Sequence, residues 1–161
     1  MRTLGLYLIA LVSGYFATTF ALWFSHWFAH LRGGPLTGFH VRGHHRLYPS
    51  GAACLADSFK YGRGREDSVY AFIPWLTLLV AAIWWFLPIG PAIAVTIEGT
   101  VIVGLFSYLH EQFHMRGSQL NSSKNFARAR ERHFLHHDRR VNFAVYDHFW
   151  DIAFGTFLEK K

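Results

Sequence analysis

Ten of the chain's eleven histidines fall into four short clusters. His26 and His30 form H-x3-H, and His40, His44 and His45 form H-x3-H-H. His110 and His114 repeat H-x3-H, His133, His136 and His137 form H-x2-H-H, and only His148 stands apart. Imidazole is the commonest metal-ligating side chain and is neutral enough at pH 7 to bind without first losing a proton. Ten are too many for one ion and suit two ions with about five ligands each. On an α-helix residues i and i+4 share a face. His26/His30 and His110/His114 can therefore each clamp one ion or bridge two. His133, His136 and His137 also share a face. His40 and His44 have the same helical spacing, while His45 turns about 100° away, toward a second ion.

All-nitrogen ligation suits iron, copper, zinc or nickel. A structural zinc site closes with four ligands and would leave most of these histidines unused. The paired Glu-x-x-His motifs of soluble carboxylate-bridged di-iron bundles are absent. Cys54 is the single cysteine, which excludes an intrachain disulfide and a cysteine-rich metal cluster. Residues 110–114, HEQFH, match HExxH, in which Glu111 would be the general base of a zinc peptidase. That reading employs two of the ten clustered histidines and ignores eight.

The elements that must position these ligands are apolar. The 161 residues suit one domain. They are 52% hydrophobic and 16% charged, against about 25% charged in a soluble domain. Residues 4–24 and 69–87 carry no charge, and residues 92–109 carry only Glu98. Crossing the hydrocarbon core takes about 20 apolar residues, so all three runs are expected transmembrane helices. The first is too long for the apolar part of a signal peptide and leads straight into His26. Pro88-Ile89-Gly90-Pro91 reads as a tight reversal, which makes the second and third helices a hairpin. Glu98 lies inside the third run, where a functional acid and a helix-packing hydrogen bond are both open readings.

Of the sixteen Lys and Arg residues, only Arg2 falls on the hairpin-tip side; fifteen lie in residues 31–68 or after His110. The positive-inside rule makes that the cytoplasmic face. All four histidine clusters belong to it, the first and third at helix ends. The formal charge of +6 is thus explained by orientation. Arg128, Arg130, Arg132, Arg139 and Arg140 are expected to face anionic headgroups. No nucleic-acid-binding signature is present, and no nucleic-acid partner is expected.

Four histidine clusters at the cytoplasmic ends of membrane helices resemble the fatty acid hydroxylase superfamily, which holds sterol desaturases and fatty acid and sphingolipid hydroxylases. Residues 133–157, HFLHHDRRVNFAVYDHFWDIAFGTF, are similar to its C-terminal signature. H-x2-HH is followed there by Asn142-Phe143 and then by W-D-x-x-F-G-T at Trp150, Asp151, Phe154, Gly155 and Thr156. FHVRGHHRLYP is similar to the second family cluster with its Tyr48-Pro49 step. The resemblance covers nearly the whole chain. Three departures stand out. Three residues separate His40 from His44 where that branch usually has two, which makes His40 the outlying ligand. Ala144 replaces a usual glycine. An additional membrane hairpin and a fused cytochrome domain, found in many relatives, are not in the sequence.

The resemblance implies an all-α integral membrane protein, with about three membrane helices capped by a cytoplasmic helical domain rich in histidine. It implies two non-haem irons held by His26, His30, His40, His44, His45, His110, His114, His133, His136 and His137, with zinc able to substitute in a purified sample. It implies O2-dependent hydroxylation of an unactivated C–H bond in a membrane lipid, with desaturation on the same scaffold as the near alternative. A non-enzymatic metal- or haem-binding membrane protein is the alternative of another class. Electrons must come from a separate cytochrome b5, ferredoxin or reductase, because the chain has no flavin fingerprint and no cysteine cluster. The host membrane would be a bacterial inner membrane or the endoplasmic reticulum. Asp147, Asp151 and Asn142 are candidates to hold a ligating imidazole by its outer nitrogen. Trp23, Trp27, Phe28, Phe106 and Tyr108 are candidates for the walls along which lipid tails approach, or for ordinary interfacial anchors.

Overall fold

The structure, a computed structural model, describes residues 2–32, 34, 36–60 and 72–159. These form helices α1 (Arg2–Ala29), α2 (Thr37–Phe39), α3 (His45–Leu47), α4 (Ile73–Phe86), α5 (Ile89–His114), α6 (Lys124–Asp138) and α7 (Phe149–Ala153). Between α2 and α3 the chain makes a π-helical turn, His40–His44. No strand occurs among the described residues; one isolated parallel bridge joins Ala56 to Met115.

Two helices are long and apolar enough to cross a membrane, Thr3–Ala29 within α1 and Ile89–His114. Their outer surfaces are apolar: Leu8, Ile9 and Val12 on α1 and Ile93, Ile97 and Val101 on α5 are exposed. Residues 69–71 of the second apolar run lie outside the described residues. The helix within that run, α4, has 14 residues. At 1.5 Å per residue it is about 21 Å long, short of the ~30 Å hydrocarbon core. The expected four-residue reversal shrinks to Leu87-Pro88, and α5 begins at Ile89 rather than Ala92. Pro91 sits in the first turn of α5, where its missing N–H has no helical partner to lose.

α1 and α5 run side by side in the same direction. A Cβ added to Gly14 would stand 2.5 Å from Val95 Cγ1 and 3.0 Å from Glu98 Oε2, and Gly99 faces Thr18. Gly14 is therefore the residue that lets the two backbones approach. α4 runs the opposite way: Trp84 Nε1 donates to Thr96 Oγ1 (3.1 Å) near the tip, while Trp75 packs edge-on against Phe24 and Phe28 at the other end. The C-terminal ends of α1 and α5 consequently emerge together.

α6 begins with Ser123 as N-cap, its Oγ accepting from Phe126 N. Its buried positions are Phe126, His133 and His136. Arg130 does not reach outward to headgroups as expected. Its Nη2 donates to the carbonyls of Gln112 and Met115 (both 3.0 Å), adding a cation to the C-terminal end of α5, where the helix dipole favours positive charge. Arg132 pairs with Glu159 and lies over Phe157. Arg128 and Arg139 remain exposed. The segment after α6 returns along α1, entered at Asn142, whose φ of 54° is left-handed. The Asn142 side chain holds that conformation by donating to the carbonyls of Arg132 and Leu158 and accepting from Leu158 N.

Candidate metal centre

The four histidine clusters converge into two groups at the joint end of α1 and α5. His26, His30, His40, His45 and His136 form the first; His44, His114, His133 and His137 form the second. Within each group the candidate ligand atoms all lie within 4.8 Å of one another. The groups abut, with the His45 and His137 rings stacked at 4.2 Å. His110 lies outside both mutual sets but borders the second, its ring 4.5 Å from His44 and 4.8 Å from His133. His148 belongs to neither and is buried against Asp151.

Local backbone form decides which imidazole goes where. His26 and His30, four apart, reach the first group together. In α6, His133 and His137 reach the second group while His136, between them, reaches the first. The second cluster departs from its expected pairing. His40 and His44 share α-helical spacing but serve different groups, and His45 joins His40. The π turn is the reason: the His45 N–H bonds the His40 carbonyl, one residue beyond α-helical reach. Residues five apart are thereby aligned, and the His40 and His45 Nε2 atoms stand 3.1 Å apart. His40 is 1% exposed, so the residue outlying by spacing is central by position.

Four imidazoles are fixed from behind by backbone carbonyls. Nδ1–H donates from His26 to Phe143 O (2.5 Å), from His136 to Val141 O (2.9 Å), from His114 to Cys54 O (2.9 Å) and from His137 to Tyr48 O (2.6 Å). A carbonyl can only accept, so each of these rings carries its proton on Nδ1 and presents a bare lone pair at Nε2. Those lone pairs point at other Nε2 atoms: His26 to His40 at 2.8 Å, His136 to His30 and His45 at 3.1 Å, His114 to His133 at 2.9 Å, His137 to His133 at 3.1 Å. Nitrogens bound about 2.0–2.1 Å from one ion at right angles lie roughly 3 Å apart. His44 Nε2, His40 Nδ1 and His133 Nδ1 are buried with no hydrogen-bond partner among the described residues. Converging Nε2 atoms in both groups, and the unpartnered His44 Nε2 in the second, fit a cation in each; the unpartnered Nδ1 atoms of His40 and His133 lie on the far side of rings whose Nε2 atoms already converge.

Electrostatics agree. Burial, and after it the neighbouring imidazoles, hold His40, His44, His45, His133, His136 and His137 well below the usual histidine range. Burial chiefly, then His26 and Arg140, push His30 down to about 3. These rings are neutral at pH 7 and ready to bind. Because no carboxylate belongs to either group, the charge of a bound ion is left uncompensated by its ligands, which keeps it strongly electrophilic.

The three residues expected to hold ligands by their outer nitrogens lie elsewhere. Asp151 is fully buried. It accepts from Trp23 Nε1, Phe143 N and Thr156 Oγ1 on Oδ1, and from Ala144 N and His148 Nδ1 on Oδ2. It thus fixes the Phe143 peptide, whose carbonyl fixes His26. Asp147 accepts from Tyr15 Oη (2.6 Å) and from Phe149 N. Asn142 ties the chain end to α6. Of the aromatic residues expected as walls, Phe106 lies 6.3 Å above the His110 ring, Trp23 backs Phe143, and Tyr108 is half exposed. Tyr48 is the residue sequence reasoning undervalued: fully buried, it stacks on His114 at 4.0 Å and offers its carbonyl to His137. Its place four residues past His44, before Pro49, is the signal that could have found it. Cys54, Val141 and Phe143 act through their backbones, which leave no mark in residue type.

Below the groups, α1, α4 and α5 border a half-open cleft of about 220 Å³, lined by Thr18, Leu76, Ile83, Val95, Gly99 and Val103 among others. Phe72 and Phe106, 5.5 Å apart, stand one helical turn from Leu76 and Val103 and separate this space from His26 and His110. Comparison of the chain with protein-family models, with curated proteins and with solved structures finds no match in any of the three.

Proposed function

We propose that the chain is a membrane-bound, O2-dependent di-iron oxygenase that hydroxylates an unactivated C–H bond of a lipid. The observation that carries this reading is the pair of abutting, buried, all-imidazole groups, the first of five histidines and the second of four with His110 beside it. Two adjacent redox metals would share the electrons that cleaving O2 requires, with one oxygen atom going to the substrate and the other to water, chemistry that a redox-inert structural zinc does not supply. His26, His30, His40, His45 and His136 would hold one iron; His44, His114, His133 and His137, with His110 at their side, the other. The backbone carbonyls of Phe143, Val141, Cys54 and Tyr48 keep four of these rings in the ligating tautomer. Phe72 and Phe106 keep water from the apolar side. The mostly apolar cleft between α1, α4 and α5 is suited to a hydrocarbon chain. Electrons would come from a separate donor protein.

The exposed apolar surfaces of α1, α4 and α5 support insertion in a membrane, and the basic residues beside the histidine end support a cytoplasmic orientation for it. The peptidase reading is weaker, since His110 and His114 do not share one mutual set. The test is a comparison of the lipids of cells with and without the chain. One lipid class should gain the mass of one oxygen atom; loss of two hydrogens instead would assign desaturation. His136→Ala should abolish the change while the protein stays in the membrane. Purified protein should hold two non-haem irons per chain, and a haem absorption band with little non-haem iron would overturn the proposal.

A further inference from the structure

We infer that residues 141–158 form a re-entrant segment that dips into the apolar interior of the bilayer beside α1 and returns to the same face. The surface of this segment fits lipid hydrocarbon rather than water. The inference rests on reading α1 and α5 as membrane spans.

The contacts with α1 measure the depth. Phe143 packs on His26 and Trp23 at the histidine end. Further along, Trp150 meets Phe20 at 5.0 Å and donates from Nε1 to Thr19 Oγ1. Deeper still, Phe149 meets Phe16 at 5.2 Å and Asp147 accepts from Tyr15 Oη. The chain then climbs back, with Phe154 stacked on Trp23 at 4.6 Å and Asn142 N donating to Thr156 O. From Phe24, where the apolar run gives way to Ser25 and His26, to Tyr15 is nine residues of helix, about 13 Å at 1.5 Å each. Half of a ~30 Å hydrocarbon core is ~15 Å. Side chains on α1 lean toward its N-terminus, which carries these contacts deeper rather than shallower.

The surface and the polar groups fit that depth. Phe149, Ile152 and Phe154 are 48%, 64% and 54% exposed, continuous with the exposed Phe16 of α1. The segment VNFAVYDHFWDIAFGTFL contains two carboxylates, and both are turned inward to bonds within the protein. Irregular backbone survives at membrane depth only where the protein satisfies it. Here Asp151 takes the N–H groups of Phe143 and Ala144, and Asp147 takes that of Phe149. Arg139 and Arg140 precede the segment and Lys160 and Lys161 follow it, so basic residues bracket both ends, as a segment that enters and leaves by one face requires. This places two carboxylates of the sequence in a role of their own, as internal hydrogen-bond acceptors for a chain that leaves water.

Site-directed spin labels in liposomes test this. Single cysteines at Ile152, Phe149, Ile97 and Arg128, in a Cys54→Ser background, are labelled in the full-length protein. Their relaxation by O2, which partitions into lipid, is compared with that by a water-soluble nickel chelate. Ile152 is the deciding position; Phe149 replaces it if Ile152→Cys fails to bind metal. The label at Ile152 should respond more to O2, as at Ile97, while Arg128 responds more to the chelate. Ile152 behaving like Arg128 while Ile97 reports lipid would overturn the inference and leave the membrane reading intact. Ile97 also reporting water would overturn both.

Discussion

Asp151 is the single side chain on which most of the site's support converges. Its five hydrogen bonds reach α1 through Trp23, the chain leading to the metal groups through Phe143 and Ala144, and the chain end through His148 and Thr156. The connection to the metal runs through one peptide: the carboxylate holds the Phe143 N–H, and the Phe143 carbonyl holds His26. Asp151→Asn keeps the shape but turns one acceptor into a donor facing donors. It should cost about 2–4 kcal/mol of stability and weaken metal retention by about 10-fold, the range for residues behind a ligand. Chelator competition and unfolding in detergent would measure the two effects. His148→Ala, which removes an imidazole of neither group, should leave two metals bound; loss of one would mean that His148 is a ligand.

At the scale of elements, the π turn and the α1–α5 contact make the strongest claims. The π turn accommodates one residue more than an α-helix would between His40 and the His44-His45 pair. Deleting Val41 should therefore convert it to an α-helical turn in which His40 and the present His45 are four apart and still share a face. That variant should retain both metals, whereas equal retention after deletion of a residue between His133 and His136 would contradict the assignment of α6. Metal analysis of both deletions decides. Gly14 tests the helix contact. Its Cβ would collide with Val95 Cγ1, a branched, buried side chain with little freedom to move. Gly14→Ala should destabilise by about 1–3 kcal/mol, and adding Val95→Ala should recover most of the loss; thermal unfolding in detergent reads both. The helical periodicity of the histidine clusters makes α1, α5 and α6 legible in the sequence as ligand-bearing elements. The π turn is not legible there, because H-x3-H is written identically for α and π backbones and only the bond from His45 N to His40 O separates them. The carbonyl anchors are not legible either, since a backbone oxygen is common to every residue type. α4 starts after Phe72 and stops at Phe86, ends that apolarity alone does not mark.

For the whole molecule, ten imidazoles packed into one end make stability and metal binding share a single pH dependence. In the folded protein His30 titrates at about 3 rather than 6.5, and His40, His44, His45, His133, His136 and His137 are likewise held down, burial leading in each case. In the unfolded chain each takes up a proton near the ordinary value of about 6.5. Above that value both states are neutral and the linkage contributes nothing. As pH falls through it, the unfolded chain binds protons that the folded protein refuses, so stability declines with falling pH, down to about 3 for His30. Unfolding of the metal-free protein should therefore show stability that is flat above about pH 7 and drops steeply as pH falls from about 6.5 toward about 3. Bound metal competes with the same protons, so the loaded protein should begin its decline at lower pH, and metal release should accompany unfolding. If metal-free stability stayed level across that interval, the imidazoles would have to be solvated in the folded state, and the convergence of their lone pairs on two ions would be wrong.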